Sequence, residues 1–370
     1  MPSKTALPAL SIVVPILNEA ETLPTLFAML SRQERVAFEL ILADGGSTDG
    51  TAALAEGLAA ASTFACRVLH CEKGRGRQLN AGARAAAAGT LLFLHADSAF
   101  PDALALRRGL DTLAAAIARR GDCRAAGRFA LRFDVPADRY GFGYYYYECK
   151  ARLGRPEGIH GDQGFLLPRI FFDSLGSFDE KLELLEDNRF AEAVRREGEW
   201  LLLPADVVTS ARRFEAEGLY ERQLLNALIM NFAAIGWDDF FRAASGIYRQ
   251  QDLAGRLRLI PYFRAIRGLL QKLPVRRRFG MWYRTGVYVR PNAWQLAFLL
   301  DEHRNFRRGL PAGEGGTPWL DWFDRWYPPL TDHPPGRLAA AGLVWLWFHL
   351  TLLWLRLRDK EVQVGQFPPN

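Results

Sequence analysis

The first hundred residues alternate short β-rich runs with helical ones, and this alternation restricts the fold more than any other feature of the chain. Ala9–Val14 is a short β-rich run bounded by Pro8 and Pro15. A helix is expected over Glu21–Leu30, with Leu23, Leu26, Phe27 and Leu30 on one stripe. Phe38–Ala43 reads as the second strand, Thr51–Ala61 as an Ala-rich helix and Arg67–His70 as the third strand. Gly76–Ala88 is a further helix and Thr90–Leu94 a fourth strand, whose apolar run suits burial on both faces. Such alternation gives right-handed βαβ units and a parallel sheet. After Pro101 the regularity ends. A long Ala/Leu helix to Arg120 precedes a strand at Ala126–Phe133, expected to be antiparallel, and Tyr144–Tyr147 is an aromatic run of open structure. Gly164–Leu167, a helix at Leu184–Val194 and Trp200–Leu203 continue a mixed half, which a helix at Leu219–Ala234 closes.

With 370 residues, 49% hydrophobic and 24% charged, the chain has the composition of a globular protein of two or three domains. Its net charge of +6 is uneven: 20 Lys/Arg face 11 Asp/Glu from Asn231 onward, against 27 and 30 before it. The latter part therefore suits an anionic surface or partner. Cys66, Cys71, Cys123 and Cys149 form no C-x-x-C pair or zinc-like spacing and read as reduced thiols. The first apolar run stops at Pro15, which is not a secretory pattern, so a cytoplasmic location is expected.

Several polar groups fall just beyond strand ends, where open α/β sheets bind ligands. Pro15, Asn18 and Glu19 follow the first strand, and an ordinary strand-to-helix turn is their plain alternative. Asp44 follows the second strand beside Gly45-Gly46, too far from the next helix to cap it, and suits hydrogen bonds from a base or ribose. Lys73-Gly74-Arg75-Gly76-Arg77-Gln78-Leu79-Asn80 opens a helix with glycines and three cations, a pattern for anions that is not a Walker loop. Asp97 is either a metal ligand or the cap of the helix that Pro101 helps to start. Glu186 and Asp187 sit near a helix start, where carboxylates are stabilised in any case; the competing role is a general base.

Taken together and in order, Pro15-x-x-Asn18-Glu19, Asp44 to Thr51, His95-Ala96-Asp97 and Glu186-Asp187 resemble the family 2 glycosyltransferases. With Gly161-Asp162-Gln163-Gly164 and Thr209 to Phe214, the resemblance extends to a bacterial subgroup, the radical-SAM/selenodomain-associated transferase 2 type, over roughly residues 8 to 235. It implies an α/β fold of GT-A type, with a mixed, mostly parallel sheet and a Rossmann-like nucleotide-binding half. It implies inverting transfer of a sugar from a nucleoside diphosphate donor to an unknown acceptor. Pro15, Asn18, Glu19, Asp44, Gly45, Lys73, Arg77, Asn80 and Asp97 would then lie at the donor, and Asp187, with Glu186 beside it, would supply the base. Asp97 would bind a divalent Mg²⁺ or Mn²⁺. The family's usual Asp-x-Asp begins here with His95, which could ligate metal, bond a phosphate or pack below the site. Asp162, Gln163, Arg212 and Arg213 are candidates for acceptor or phosphate. A sugar-phosphate nucleotidyltransferase and a silent nucleotide-sugar binding protein are the rival readings.

The expected domains are 1–235, the glycosyltransferase part, and 236–370, a basic, mainly helical extension outside the resemblance. Arg256–Arg278 is basic and amphipathic, preferred as a core-facing helix with a solvated basic face over a membrane-lying one. Eighteen residues without formal charge, Leu338–Leu355, sit at the lower edge for a span. A buried, interfacial or oligomerising helix is preferred there, which leaves peripheral contact with an anionic membrane at its inner face, or a homo-oligomer, as the expected partners. No nucleic acid is expected.

Overall fold

The computed structural model describes residues 7–182, 184–251 and 256–365. It divides into two compact units, Met1–Ser210 and Ala211–Asn370. In the first, β1 (Leu10–Ile16), α1 (Leu23–Ser31), β2 (Phe38–Asp44), α2 (Thr51–Ala61), β3 (Ala65–His70), α3 (Arg75–Ala85) and β4 (Thr90–Phe93) follow one another as strand–helix repeats. Then come α4 (Ala105–Arg120), β5 (Ala125–Asp134), α5 (Phe142–Arg152), β6 (Phe165–Pro168), α6 (Arg169–Ser174), α7 (Glu186–Glu197) and β7 (Glu199–Ser210).

The strands form one seven-stranded sheet in the order β3-β2-β1-β4-β6-β5-β7. β1 to β4 are mutually parallel, β6 runs antiparallel to both β4 and β5, and β7 is parallel to β5. This is the mixed, mostly parallel sheet that the resemblance implied. The reversed member, however, is β6: β5 is antiparallel to β6 alone and shares the direction of β1 to β4. The apolar stripe expected on α1 is buried in full. The Tyr144–Tyr147 run is helical, because Tyr144, Tyr145, Tyr146 and Cys149 are drawn into the core where a β preference of tyrosine gives way to packing. β7 runs well past the expected Leu203. Pairing jumps from Phe129–Leu203 to Ala130–Asp206, so Pro204 sits in a bulge, where its missing N–H costs no ladder bond.

The amino-terminal edge of the sheet is closed by a buried polar knot. Ser11 Oγ donates to Glu39 Oε1 at 2.6 Å, Ala87 N donates to the same oxygen at 2.5 Å, and Arg67 donates to Glu39 Oε2 at 2.8 Å. Ser11 in turn accepts from Ala88 N at 2.9 Å. The knot therefore joins β1, β2 and β3 to the end of α3.

Among the described residues the second unit is helical throughout: α8 (Arg212–Glu217), α9 (Leu219–Ala234), α10 (Asp238–Gln251), α11 (Ile260–Lys272), α12 (Val275–Asn292), α13 (Trp294–Arg307), α14 (Pro318–Thr331) and α15 (Pro334–Gly365). Its core gathers Leu225, Leu228 and Phe232 of α9 with Phe240, Tyr262, Phe263 and Phe348. Thus α9, grouped by sequence with the first domain, packs in the second unit's core. The basic amphipathic α11 turns Ile260, Tyr262, Phe263, Ile266 and Leu270 inward, as the core-facing reading required.

Burial raises the Glu39 pKa, but the bonds from Ser11, Ala87 and Arg67 outweigh it and hold the carboxyl below its ordinary 4.5. A lowered folded-state value adds stability above the unfolded pKa that is lost as pH falls through the folded one. Glu39→Gln should therefore destabilise the protein by about 1–3 kcal/mol at neutral pH. In urea unfolding across pH, the gap to wild type should close once pH drops below the usual glutamate range; a pH-independent gap would refute the linkage.

Candidate active site

Because β1, β2 and β4 are parallel, their carboxyl ends deliver Asn18, Asp44 and Asp97 to one edge of the sheet. That edge is opened to a fixed width by Gln78 of α3, which is buried and donates to Ile16 O at 2.9 Å and Ala43 O at 2.8 Å. Gly45 makes room for it: a Cβ there would lie 2.9 Å from the Gln78 amide. The two loops beyond β1 and β2 are stitched together. Asn18, in the left-handed region at φ 56°, donates from its N to Ser47 Oγ and accepts from Thr48 N, both at 2.9 Å. Glu19 N donates to Thr51 Oγ1 at 2.8 Å. Asp44 is nearly closed off, accepting from Ser47 Oγ at 2.5 Å and from the N–H groups of Gly46 and Ser47. Its backbone-fed turn presents polar edges, while Asp44 itself faces His70 Nδ1 at 3.7 Å.

The reversal of β6 supplies the rest. Phe165, its first residue, pairs with Phe93, the last of β4, so the turn Gly161–Gln163 arrives at the same edge. Gly161 N donates to Asp187 Oδ2 at 2.8 Å, and Asn188 N donates to Asp187 Oδ1 at 2.8 Å. A Cβ on Gly161 would stand 3.0 Å from Asp187 Oδ2 and 3.4 Å from His95 Nε2, so His95 lies against the same spot. His160 Nδ1 meets the Asn188 amide at 3.0 Å and Nε2 meets Glu157 O at 3.1 Å. A carbonyl partner requires the proton on Nε2, which leaves Nδ1 to accept, and burial lowers the pKa toward this neutral form. Thr209 Oγ1 donates to Asp97 Oδ2 at 3.3 Å.

Helix α7 carries Asp187 on the stripe of Phe190, Ala191 and Val194, one turn beyond the buried ones. Phe190 is clamped by Phe178 and Phe172, with ring centroids 4.5 and 5.4 Å away, and these pack on Phe93 of β4. Leu185, at φ 69°, turns the chain into the helix just before the acids. The position is rare for a branched residue and marks local strain next to them.

Charge is unevenly compensated here. Burial would raise the Asp187 pKa, yet the charge of Arg75, with the Gly161 N–H, brings it below the ordinary aspartate value. Burial, then the charge of Asp187, raises Glu186, which is buried and 3.6 Å from Arg75. Asp162 is pushed up to about 7 by burial and by the neighbouring Asp187 and Asp97. Its Oδ1 is closed off from solvent without a hydrogen-bond partner. Asp187 is thus biased toward its charged form, next to two acids, Glu186 and Asp162, that burial biases toward their neutral forms.

The structure gathers His95, Asp97, Asp162, Glu186 and Asp187 into this one site through these bonds and couplings. Other sequence candidates are engaged elsewhere. Asn80 is buried and bonds Phe178 N, Phe178 O and Glu180 Oε1, fixing the loop before α7. Gln163 accepts from His160 N and donates to Ala151 O. Arg77 pairs with Glu72 at 3.4 Å, and Lys73 is exposed beside it. Arg212 and Arg213 begin α8 in the second unit, where Arg213 Nε lies 4.0 Å from Glu217. Sequence reasoning passed over His160 and Asn188, and named Arg75 and Gln78 only as members of the motif that opens α3. Arg75 stood in the cation run at a helix start, but only the position of α7 separates it from its neighbours.

Residues 11–152, which take in β1 to α5, match the family model described as glycosyl transferase family 2. Asp44, His95 and Asp97 fall inside the matched stretch, and Asp162, Glu186 and Asp187 lie beyond it. It is 37% identical over 105 residues to PGL/p-HBAD biosynthesis glycosyltransferases of Mycobacterium bovis (strain BCG / Pasteur 1173P2) and Mycobacterium tuberculosis (strain ATCC 25177 / H37Ra), covering 28% of this chain and 41% of theirs. It thus spans about two fifths of the length of those curated relatives. Similar solved structures include the mannosyltransferase PcManGT from Pyrobaculum calidifontis in complex with GDP-Man and Mn²⁺, with a TM-score of 0.44, 18% identity, and 96% of this chain and 89% of that one covered. Another is S. aureus TarS 1-349 in complex with UDP-GlcNAc, with a TM-score of 0.45, 15% identity and coverage of 84% and 96%.

Replacing Arg75 with Gln should raise the Asp187 pKa, since the largest of the opposing charges is removed. Carbon NMR of the side-chain carboxyls would follow it, and an unmoved Asp187 titration would show that Arg75 does not set its charge.

Proposed function

We propose that the chain is an inverting glycosyltransferase that moves a sugar from a nucleoside diphosphate donor to an acceptor hydroxyl, with Asp187 as general base. The observation that carries this reading is the Asp187 carboxylate, held by Gly161 N and Asn188 N at 2.8 Å each at the carboxyl edge of a nucleotide-type sheet. In the transfer, the acceptor hydroxyl gives its proton to Asp187 as its oxygen bonds the anomeric carbon. The bond from that carbon to the diphosphate oxygen breaks on the opposite face, through an oxocarbenium-like state. Glu186, turned to Arg75, orients the cation that biases Asp187 toward its charged form. The Asn18 and Asp44 loops form the nucleoside side of the site, and the N-terminus of α3, which carries Arg75, the diphosphate side.

A divalent cation fits the residues present, since Asp162 Oδ1 is an unbonded, enclosed carboxylate oxygen and three aspartates crowd their charges there. Among the described residues no three His, Cys, Asp or Glu side chains form a ready-made metal cluster. Asp97 and Asp162 would therefore hold it together with donor oxygens, hard ligands suited to Mg²⁺ or Mn²⁺. When bound, the cation offsets charge on the leaving diphosphate. His95, against Gly161 and Asp187, stands in this reading beside the base.

A thermal-shift screen of nucleoside diphosphate sugars with Mn²⁺ would identify the donor. Asp187→Asn should keep donor affinity and lower transfer about a hundred- to ten-thousandfold; full turnover would remove it as base. Asp97→Ala should abolish Mn²⁺-dependent binding of the nucleoside diphosphate by calorimetry, and unchanged binding would refute its metal role.

A further inference from the structure

The apolar helix α15 has two opposed faces. Ala341, Phe348 and Leu352 are buried in the second unit, and α12 crosses so closely that a Cβ on Gly286 would stand 2.5 Å from Ala341 N. On the opposite side Leu343, Leu346, Leu350, Leu353, Trp354 and Leu357 are 46–68% exposed. Their spacing of three, four, three, one and three residues places them on one stripe. Helix α14 carries a second stripe, Trp319, Trp322, Trp326 and Leu330, also 46–63% exposed.

The apolar stretch of α15, Pro334–Arg358, is only 22% buried, which is not how the core helix of a water-soluble unit is placed. By length and composition it could also cross a bilayer. But Leu338–Leu355, the residues between the flanking arginines, extend about 27 Å at the α-helical rise against a hydrocarbon core of about 30 Å, and one face is committed to protein, which favours a helix lying along the surface. What distinguishes the stripes is their chemistry. Tryptophan is the residue of the membrane–water boundary, and six of the chain's ten tryptophans are exposed on these two helices. Cations sit at that level: the Arg358 guanidinium lies 5.2 Å from the centroid of the Trp354 ring, and that of Arg325 lies 5.1 Å from Trp326. The chain from Asn231 on carries nine more basic than acidic residues. The residues of the two stripes include no acidic side chain that a second copy could offer these arginines, whereas anionic headgroups complement them.

We infer that α14 and α15 dock the second unit on the surface of an anionic lipid bilayer, with the leucine and tryptophan stripes at the acyl–headgroup boundary and the arginines on the headgroups. The full chain should co-sediment with vesicles of phosphatidylcholine containing one-third phosphatidylglycerol, and about tenfold less with phosphatidylcholine alone. The triple variant Leu346→Ser, Leu350→Ser, Leu353→Ser should lose binding about tenfold while keeping the wild-type circular dichroism and melting temperature. If that variant does not fold, quenching of wild-type tryptophan fluorescence by brominated lipid in the same anionic vesicles decides, and quenching is expected. Absence of sedimentation or of quenching overturns the inference. Equal binding to neutral vesicles, or undiminished binding by the folded variant, does so too. So does a concentration-dependent dimer by light scattering that the variant abolishes while wild type ignores vesicles, because the stripe is then an interface between copies.

Discussion

A single backbone bond organises the candidate site: the Gly161 amide donating to Asp187 at 2.8 Å. It ties the turn entering the reversed strand β6 to the first turn of α7, two segments otherwise joined by a long excursion of chain. A side chain here would be crowded, because a Cβ would lie 3.0 Å from Asp187 Oδ2, 3.1 Å from Asp187 Cβ and 3.4 Å from His95 Nε2. From this contact follow the seating of His160 on Asn188 and the enclosure of Asp162. The phenylalanine cluster beneath, from Phe93 to Phe190, makes the contact rigid: it fixes α7 against the same strand whose end carries His95 and Asp97.

The two edges of the sheet handle buried charge in opposite ways. At the amino-terminal edge, Glu39 receives a hydroxyl, an amide N–H and a guanidinium and is held charged. Such closure stabilises and leaves nothing for a ligand. At the carboxyl edge, Asp162 has an enclosed oxygen without a bond and two like charges nearby, so the fold bears a cost there that a bound cation would relieve. The contrast, more than the presence of acids, separates structural from chemical carboxylates in this molecule.

The strands β1, β2 and β4 were legible because they are buried on both faces and so read as unbroken apolar runs, and α1 because its stripe keeps helical spacing. β7 was read short because Pro204 and Asp206 break the pattern, and only the partner strand shows that a bulge absorbs them. In the candidate site, Asp97 and Asp187 were picked out by order and position along the chain. Arg75 was not, since a local reading gives three cations at one helix start equal weight and the choice among them is made by α7. Asn80 and Gln163 illustrate the reverse: polar residues within motifs whose hydrogen bonds are used up by the backbone of distant loops. Local pattern names the chemistry available; tertiary contact decides which groups are already occupied.

The bulge in β7 also bears on how the molecule behaves in a crowded solution. β7 is an outer strand of the sheet, and an outer strand with a free row of N–H and C=O groups is a template on which another chain can add. Here Pro204 removes a donor and the two-residue bulge breaks the repeat in the middle of the strand. Farther along, Ala99 exchanges both backbone bonds with Val208, at 2.8 Å each, and covers the rim. A segment too irregular to be read cleanly as a strand is, for the same reason, a poor seed for aggregation.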